Sequence, residues 1–126
     1  MNPLKATMKL ASSGLSAQAS RLRHVSENIA NTDTPGYRRK TVSFLADNQS
    51  GGISVGKVRL DQTELREVHD PAHPLADASG NYLGSNVDLV IEMADAREAQ
   101  RSYEANLKMF KQARDMSSHL MDLLRR

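Results

Sequence analysis

Leu4, Met8, Ala11, Leu15, Gln18, Leu22, Val25 and Ile29 recur at alternating spacings of four and three. A backbone that turns once every ~3.6 residues returns to one face at that interval, so the pattern predicts a single helix with an apolar seam and one polar member, Gln18. The run Asn31-Thr32-Asp33-Thr34-Pro35-Gly36 ends it. Pro35 pushes Thr34 out of helical geometry, and Pro-Gly suits the central pair of a type II turn. A helix over about 4–31 would be ~42 Å long at ~1.5 Å per residue.

The other end of the chain repeats the pattern. After Ser85-Asn86-Val87-Asp88, where Ser or Asn can cap and Asp88 suits a helix N-terminus, come Leu89, Met93, Ala96, Gln100, Tyr103, Leu107, Phe110, Arg114, Ser117, Met121 and Leu124. No Gly or Pro interrupts residues 86–126, which allows a helix of ~58 Å. A second seam, Met109, Ala113, Met116, Leu120 and Leu123, lies beside the first over the last turns. One seam suits a partner helix within the chain; two suit neighbours on both sides. Ordinary core packing is the plainer use of such spacing. Yet two helices of unequal length sharing one interface leave the second stripe exposed, which favours assembly.

Composition narrows the alternatives. The 126 residues fit one domain, with 39% hydrophobic residues but only two Phe, three Tyr and no Trp to anchor a core. Residues 1–40 carry seven Lys+Arg and two Asp+Glu, residues 41–85 three and six, and residues 86–126 seven of each. Five of the seven glycines and two of the four prolines fall in the middle segment, which therefore reads as turns and short strands. Thr41–Leu45 and Ile53–Leu60 show partial alternation, with Asn48–Gly52 as their connection and Gly56 suited to a bulge. Beyond Val68 the sequence predicts an irregular, proline-stiffened strap.

The organisation expected is one structural unit in three parts: 1–40, the N-terminal helix and Thr-Pro-Gly turn; 41–85, a β-rich segment and strap; and 86–126, the C-terminal helix. The fold class expected is mainly α, with long terminal helices packing as a coiled coil around a short β-hairpin region.

Several functions drop out. No run approaches the ~18 apolar residues of a membrane span, so direct membrane insertion is not expected. The first ten residues hold no apolar core of a secretion signal, so cleavable secretion is not expected. Zero Cys excludes disulfides and thiol chemistry within this sequence. His69-Asp70-Pro71-Ala72-His73 is the one cluster with metal or acid–base character, with Asp77 as a third ligand at most. Pro71 prevents a helical i,i+4 ligand pair, so a solvated strap is the better reading, with no catalytic residue, metal or cofactor expected. His24 reads as a polar flank of the first helix, and the carboxylates of 92–104 with Arg97 and Arg101 as a solvated face. Arg38-Arg39-Lys40 with Arg21 and Arg23 could touch phosphates, which makes a small basic regulator binding nucleic acid through residues 21–40 the competing class. No helix-turn-helix pattern follows and no aromatic platform interleaves with those charges, which favours a protein interface instead, and no nucleic acid is expected as a partner.

Five segments together resemble the bacterial flagellar rod and hook proteins: Ser13–Gln18, Asn28–Tyr37, Asp70–Asp77, Asn86–Met93 and Arg101–Leu107. The last three are similar to the proximal rod subunits within that family. The resemblance implies a structural component of the basal-body rod, exported by the flagellar type III apparatus and polymerised with copies of itself and other rod proteins into a torque-bearing shaft across the periplasm. It implies interface roles for Leu4, Met8, Leu15, Leu22, Val25, Ile29, Leu89, Met93, Tyr103, Leu107, Phe110, Met121 and Leu124. It gives Asn28, Asn31, Thr34, Pro35, Gly36 and Tyr37 the shaping of the turn, and Arg38 and Arg39 contacts between subunits.

Overall fold

The computed structural model describes residues 2–49 and 51–126; Ser50, in the expected Asn48–Gly52 connection, lies outside the described residues. Helix α1 spans Pro3–Ala30. Asn2 caps it, its side-chain oxygen accepting from the Leu4 amide at 3.0 Å, and Pro3 fills the first turn where a missing N–H costs nothing. Helix α2 spans Leu89–Leu124. Asp88 is its cap, accepting from the Val90 amide at 3.0 Å. The expected start at Ser85 moves inward because Ser85, Asn86 and Val87 bond elsewhere.

The helices run antiparallel. Gly14 packs against Asn106 and Asn28 bonds to Glu92, equal steps along both chains in opposite directions. Carried on at that step, the start of α1 falls opposite Ser117, and the last turns of α2 extend past it by ~10 Å. Among the described residues, the buried apolar positions of the pair are small: Ala11, Gly14 and Ala17 on α1, Ala99 and Ala113 on α2, with Val25 larger; His24, Asn28 and Glu92 are buried beside them. Small side chains allow the axes to approach closely, and half-buried Leu15, Leu22, Leu107 and Phe110 flank that contact. The molecule is mainly α with a small β middle segment, as the two seams predict.

The middle segment forms three two-stranded antiparallel sheets. Strands β1 (Lys40–Thr41) and β4 (Arg59–Leu60) pair, as do β2 (Phe44–Ala46) and β3 (Ile53–Val55), and β5 (Glu67–His69) and β6 (Asn81–Leu83). Each expected strand thus breaks in two. The second breaks at Gly56, whose amide donates to the Ser43 carbonyl at 2.8 Å and whose missing Cβ would lie 2.9 Å from Ser43 Oγ.

The strap after Val68 is more regular than expected. It is a hairpin, closed by Asp70 N–H to the Gly80 carbonyl at 2.9 Å and turned through Gly80 at φ +80°. The Asp70 and Asp77 carboxylates accept from amides within the loop, so both acids hold turns. No helix among the described residues is long and apolar enough to cross a membrane.

Candidate functional site

Three features bear on function: the turn that leaves α1, a polar joint where that turn meets α2, and an uncovered apolar stripe. The turn is built by its own side chains. Asn31 ends α1, its Nδ2 donating to the Glu27 carbonyl at 2.8 Å, and Thr34 Oγ1 donates to Asn31 Oδ1 at 3.1 Å. Tyr37 N–H closes the turn on the Thr34 carbonyl at 3.2 Å, with Gly36 at φ +74°, the conformation a type II turn requires after proline. The Gly36 amide also reaches the carbonyls of Leu83 and Gly84, tying the turn to β6. Ser85 Oγ donates to the Thr32 carbonyl and anchors the approach to α2.

The joint centres on Asn28 and Glu92. The Asn28 oxygen accepts from Tyr37 Oη at 2.8 Å and the Lys40 amide at 2.8 Å, while its nitrogen donates to the Lys40 carbonyl at 3.0 Å and Glu92 Oε2 at 3.2 Å. Glu92 Oε1 accepts from Arg39 Nε at 2.6 Å. Arg39 also reaches Asp61 at 3.2 Å and Asp95 at 3.5 Å, and Arg21 bridges Asp95 and Glu98 at 3.1 and 3.3 Å. Asn86 accepts from the Arg39 amide at 2.7 Å and donates to the carbonyls of Asp61 and Thr63. One connected network thus ties α1, α2 and the middle segment together.

Three sequence expectations are corrected here. Glu92 is no member of a solvated face, since it is 0% exposed and paired with Arg39. Arg39, expected between subunits, is committed within the chain because a buried carboxylate needs a cation close by. Arg38 likewise donates to the carbonyls of Asp61 and Thr63. His24 is buried in the helix pair, 3.8 Å from Glu27, instead of flanking it. Sequence periodicity missed the joint because it counts apolar residues, and these are polar. The available signal was Asn28 and Glu92 falling on the inner stripes.

The charge pattern shifts titrations in the expected senses. The Glu27 carboxyl lies below its ordinary value, first through its hydrogen bond from Lys40, and Lys40 is raised in return. Asp61 is lowered by the Thr63 hydroxyl and amide, and further by Arg39. Burial raises the Tyr37 phenol.

The candidate interface residues divide. Val25 is buried, and Leu4, Met8, Leu15, Leu22, Tyr103, Leu107 and Phe110 are half-buried. Ile29, Leu89, Met93, Met121 and Leu124 are exposed. Val90 (76% exposed), Ile91, Met109, Met116, Leu120 and Leu123 join them, so α2 carries uncovered apolar groups at both ends. In the hairpin, His73 stacks on Tyr82 at 3.9 Å and His69 Nδ1 meets Asn81 Oδ1 at 2.7 Å. Among the described residues, no group of three or more His, Cys, Asp or Glu side chains is placed to hold a metal ion.

Paired terminal helices with an uncovered stripe meet the comparisons with known proteins on both arms. The family "Flagella basal body rod protein" matches residues 8–38, and "Flagellar basal body rod FlgEFG protein C-terminal" matches residues 78–123, which defines the class as flagellar basal-body rod proteins. The flagellar basal-body rod protein FlgC of Agrobacterium fabrum is 48% identical over 99% of this chain and 98% of its own length. That of Salmonella typhimurium is 37% identical over 85% of this chain and 87% of its own. That of Borreliella burgdorferi is 32% identical over 96% and 97%. The chain belongs to the flagellar basal-body rod protein FlgC family, a family of structural rod components.

Proposed function

We propose that this chain polymerises, with copies of itself and with other rod proteins, into the proximal part of the drive shaft that carries torque across the periplasm. The carrying observation is the division of the apolar residues on α2. Its inner stripe closes on α1, while Leu120, Leu123 and Leu124 stay in solvent beyond the reach of α1. Such a surface is stable in water only when a neighbour covers it. In this reading Val25, Leu15, Leu22, Tyr103, Leu107 and Phe110, with Leu4 and Met8, hold each helix pair together. Ile29, Leu89, Met93, Met121 and Leu124 face adjacent subunits.

Asn28, Asn31, Thr34, Pro35, Gly36 and Tyr37 set the angle at which the segment 41–85 leaves the pair formed by 1–40 and 86–126. Load passes through buried contacts and no reaction is catalysed. Export through the flagellar type III apparatus without a cleaved signal belongs to the same reading. The ion pairs of Arg21, Arg39 and Lys40 support it over nucleic-acid binding, since those cations already face carboxylates of this chain.

The test is mass spectrometry of detergent-purified hook–basal bodies beside a strain lacking this chain. The protein should be present in the first, and rods should be missing from the second. Normal basal bodies without the chain would overturn the proposal.

A further inference from the structure

The stripes that meet in the helix pair repeat every seven residues: Thr7, Gly14, Arg21 and Asn28 on α1, and Glu92, Ala99, Asn106 and Ala113 on α2. The observed register sets Gly14 on Asn106 and Asn28 on Glu92. Slide α1 by one heptad and Gly14 meets Ala113, a smaller side chain than the asparagine it now faces. At position 14 steric fit does not oppose that slip, because a glycine facing an alanine carries little shape information.

The polar contacts do oppose it. In that slip Asn28 comes opposite Ala99, and Glu92 loses the Asn28 amide. Asn28 grips the backbone of Lys40 at both its N–H and its carbonyl, which with Asn86 on the Arg39 amide helps to aim Arg39 at Glu92. A fully buried carboxylate stripped of its partners is strongly unfavourable. The opposite slip carries Asn28 past Asp88 and off the start of α2.

We propose that Asn28, Glu92 and Arg39 are the register key of the helix pair. They are positioning residues: they select one heptad alignment among those the small-residue seam accepts, and the same contacts fix the middle segment to that alignment. Without them the helices still pair, but out of step.

The chain contains no cysteine, so disulfide reporters read cleanly. The full chain with Gly14→Cys, Asn106→Cys and Ala113→Cys is oxidised, and the ratio of 14–106 to 14–113 bridges is read by peptide mass spectrometry. The 106 substitution removes the side chain that a Cβ at position 14 would strike. In the otherwise native chain the 14–106 bridge should dominate. Adding Asn28→Leu and Glu92→Leu should lower the ratio at least about tenfold while the far-ultraviolet helical signal persists. Adding Glu92→Gln instead should lower the ratio less than the leucine pair does, since its single amide oxygen still accepts from Arg39 Nε while its amide nitrogen faces the Asn28 donor.

Equal bridges in the native background, or an unmoved ratio in the leucine pair, overturn the proposal. If the leucine pair loses its helical signal, Asn28→Ala in the same three-cysteine chain is decisive. A lowered ratio supports the register key, and an unchanged one removes it.

Discussion

The Asn28 amide lies 3.2 Å from the Glu92 carboxylate, joining α1 to α2 across 64 positions of sequence in a fully buried contact. Asn28 uses both ends of its side chain there, serving the Tyr37 hydroxyl and both backbone groups of Lys40 as well. Its replacement by alanine leaves Glu92 and Lys40 short of partners inside the joint. At ~1 kcal/mol for each net hydrogen bond, with a desolvation penalty for what stays buried, Asn28→Ala should cost about 3 kcal/mol. Denaturant unfolding of the full-length chain measures it, and a loss below about 1 kcal/mol would show that water substitutes freely.

Gly14 sits in the middle of a helix, where glycine alone is unfavourable by up to ~1 kcal/mol relative to alanine. A Cβ there would come 2.8 Å from Asn106 Oδ1. Gly14→Leu should therefore destabilise by about 2–3 kcal/mol through overpacking. In an Asn106→Ala background, Gly14→Ala should instead raise stability by about 0.5–1 kcal/mol, because the helix gain survives once the clash is gone. Thermal melts of both pairs separate the two effects.

The acid limb of stability follows from Asp61 and Glu27, both lowered from ordinary values of 3.8 and 4.5. A carboxyl that binds its proton less well when folded adds stability that is complete above its ordinary value and is lost as pH falls through the folded one. The Lys40 ammonium and Tyr37 phenol are raised, so their contributions are complete below their ordinary values of 10.5 and 10.0 and are lost as pH rises through the folded ones. Unfolding midpoints should be level with respect to these groups from about pH 5 to 9 and fall on both sides. Asp61→Asn should flatten the acid side, and an acid slope identical to that of the native chain would count against the Thr63 hydrogen bonds, and the lesser Arg39 contact, as what holds Asp61 ionised.

Two substitutions to aspartate distinguish holding the subunit from holding the assembly. Leu107 is half-buried in the pair, whereas Leu124 is 82% exposed. Leu124→Asp should leave the melting curve of the free chain within about 0.5 kcal/mol yet abolish rod assembly and motility. Leu107→Asp should lower stability and block assembly together. Wild-type motility with Leu124→Asp would remove that residue from the interface.

Hydrogen exchange should show where a neighbour is missing. The last turns of α2, from 118 to 124, have no partner from α1, and a helix end without tertiary packing opens readily. Their amides should exchange far faster in the free chain than those around Ala99, and become protected in purified basal bodies. Equal protection in both states would mean that the segment needs no neighbour.

Both helices were legible in the sequence, α1 to within a residue at each end and α2 apart from a start four residues later than Ser85, because a 4–3 repeat is a local property. The Thr-Pro-Gly turn was legible for the same reason: Pro35 fixes its own φ and Gly36 admits the positive φ that follows. Strand pairing was less so. Thr41–Leu45 and Ile53–Leu60 read as two strands, but the break at Gly56 depends on Ser43 lying across from it.

The seam was only half legible. Periodicity marks the large apolar residues, and Leu89, Met93, Met121 and Leu124 turn out to lie in solvent in the free subunit while Ala11, Gly14, Ala99 and Ala113 make the contact. Hydrophobicity says that a face will be buried, not by which neighbour. Two helices, a turn between helix and sheet, and an excess of apolar surface follow from the order of residues. That the small residues face inward and that Glu92 is buried on Arg39 and Asn28 follows from how the elements pack. The reason is physical: helix periodicity is encoded within a few residues, whereas the burial of a charge is settled by partners 53 and 64 positions away.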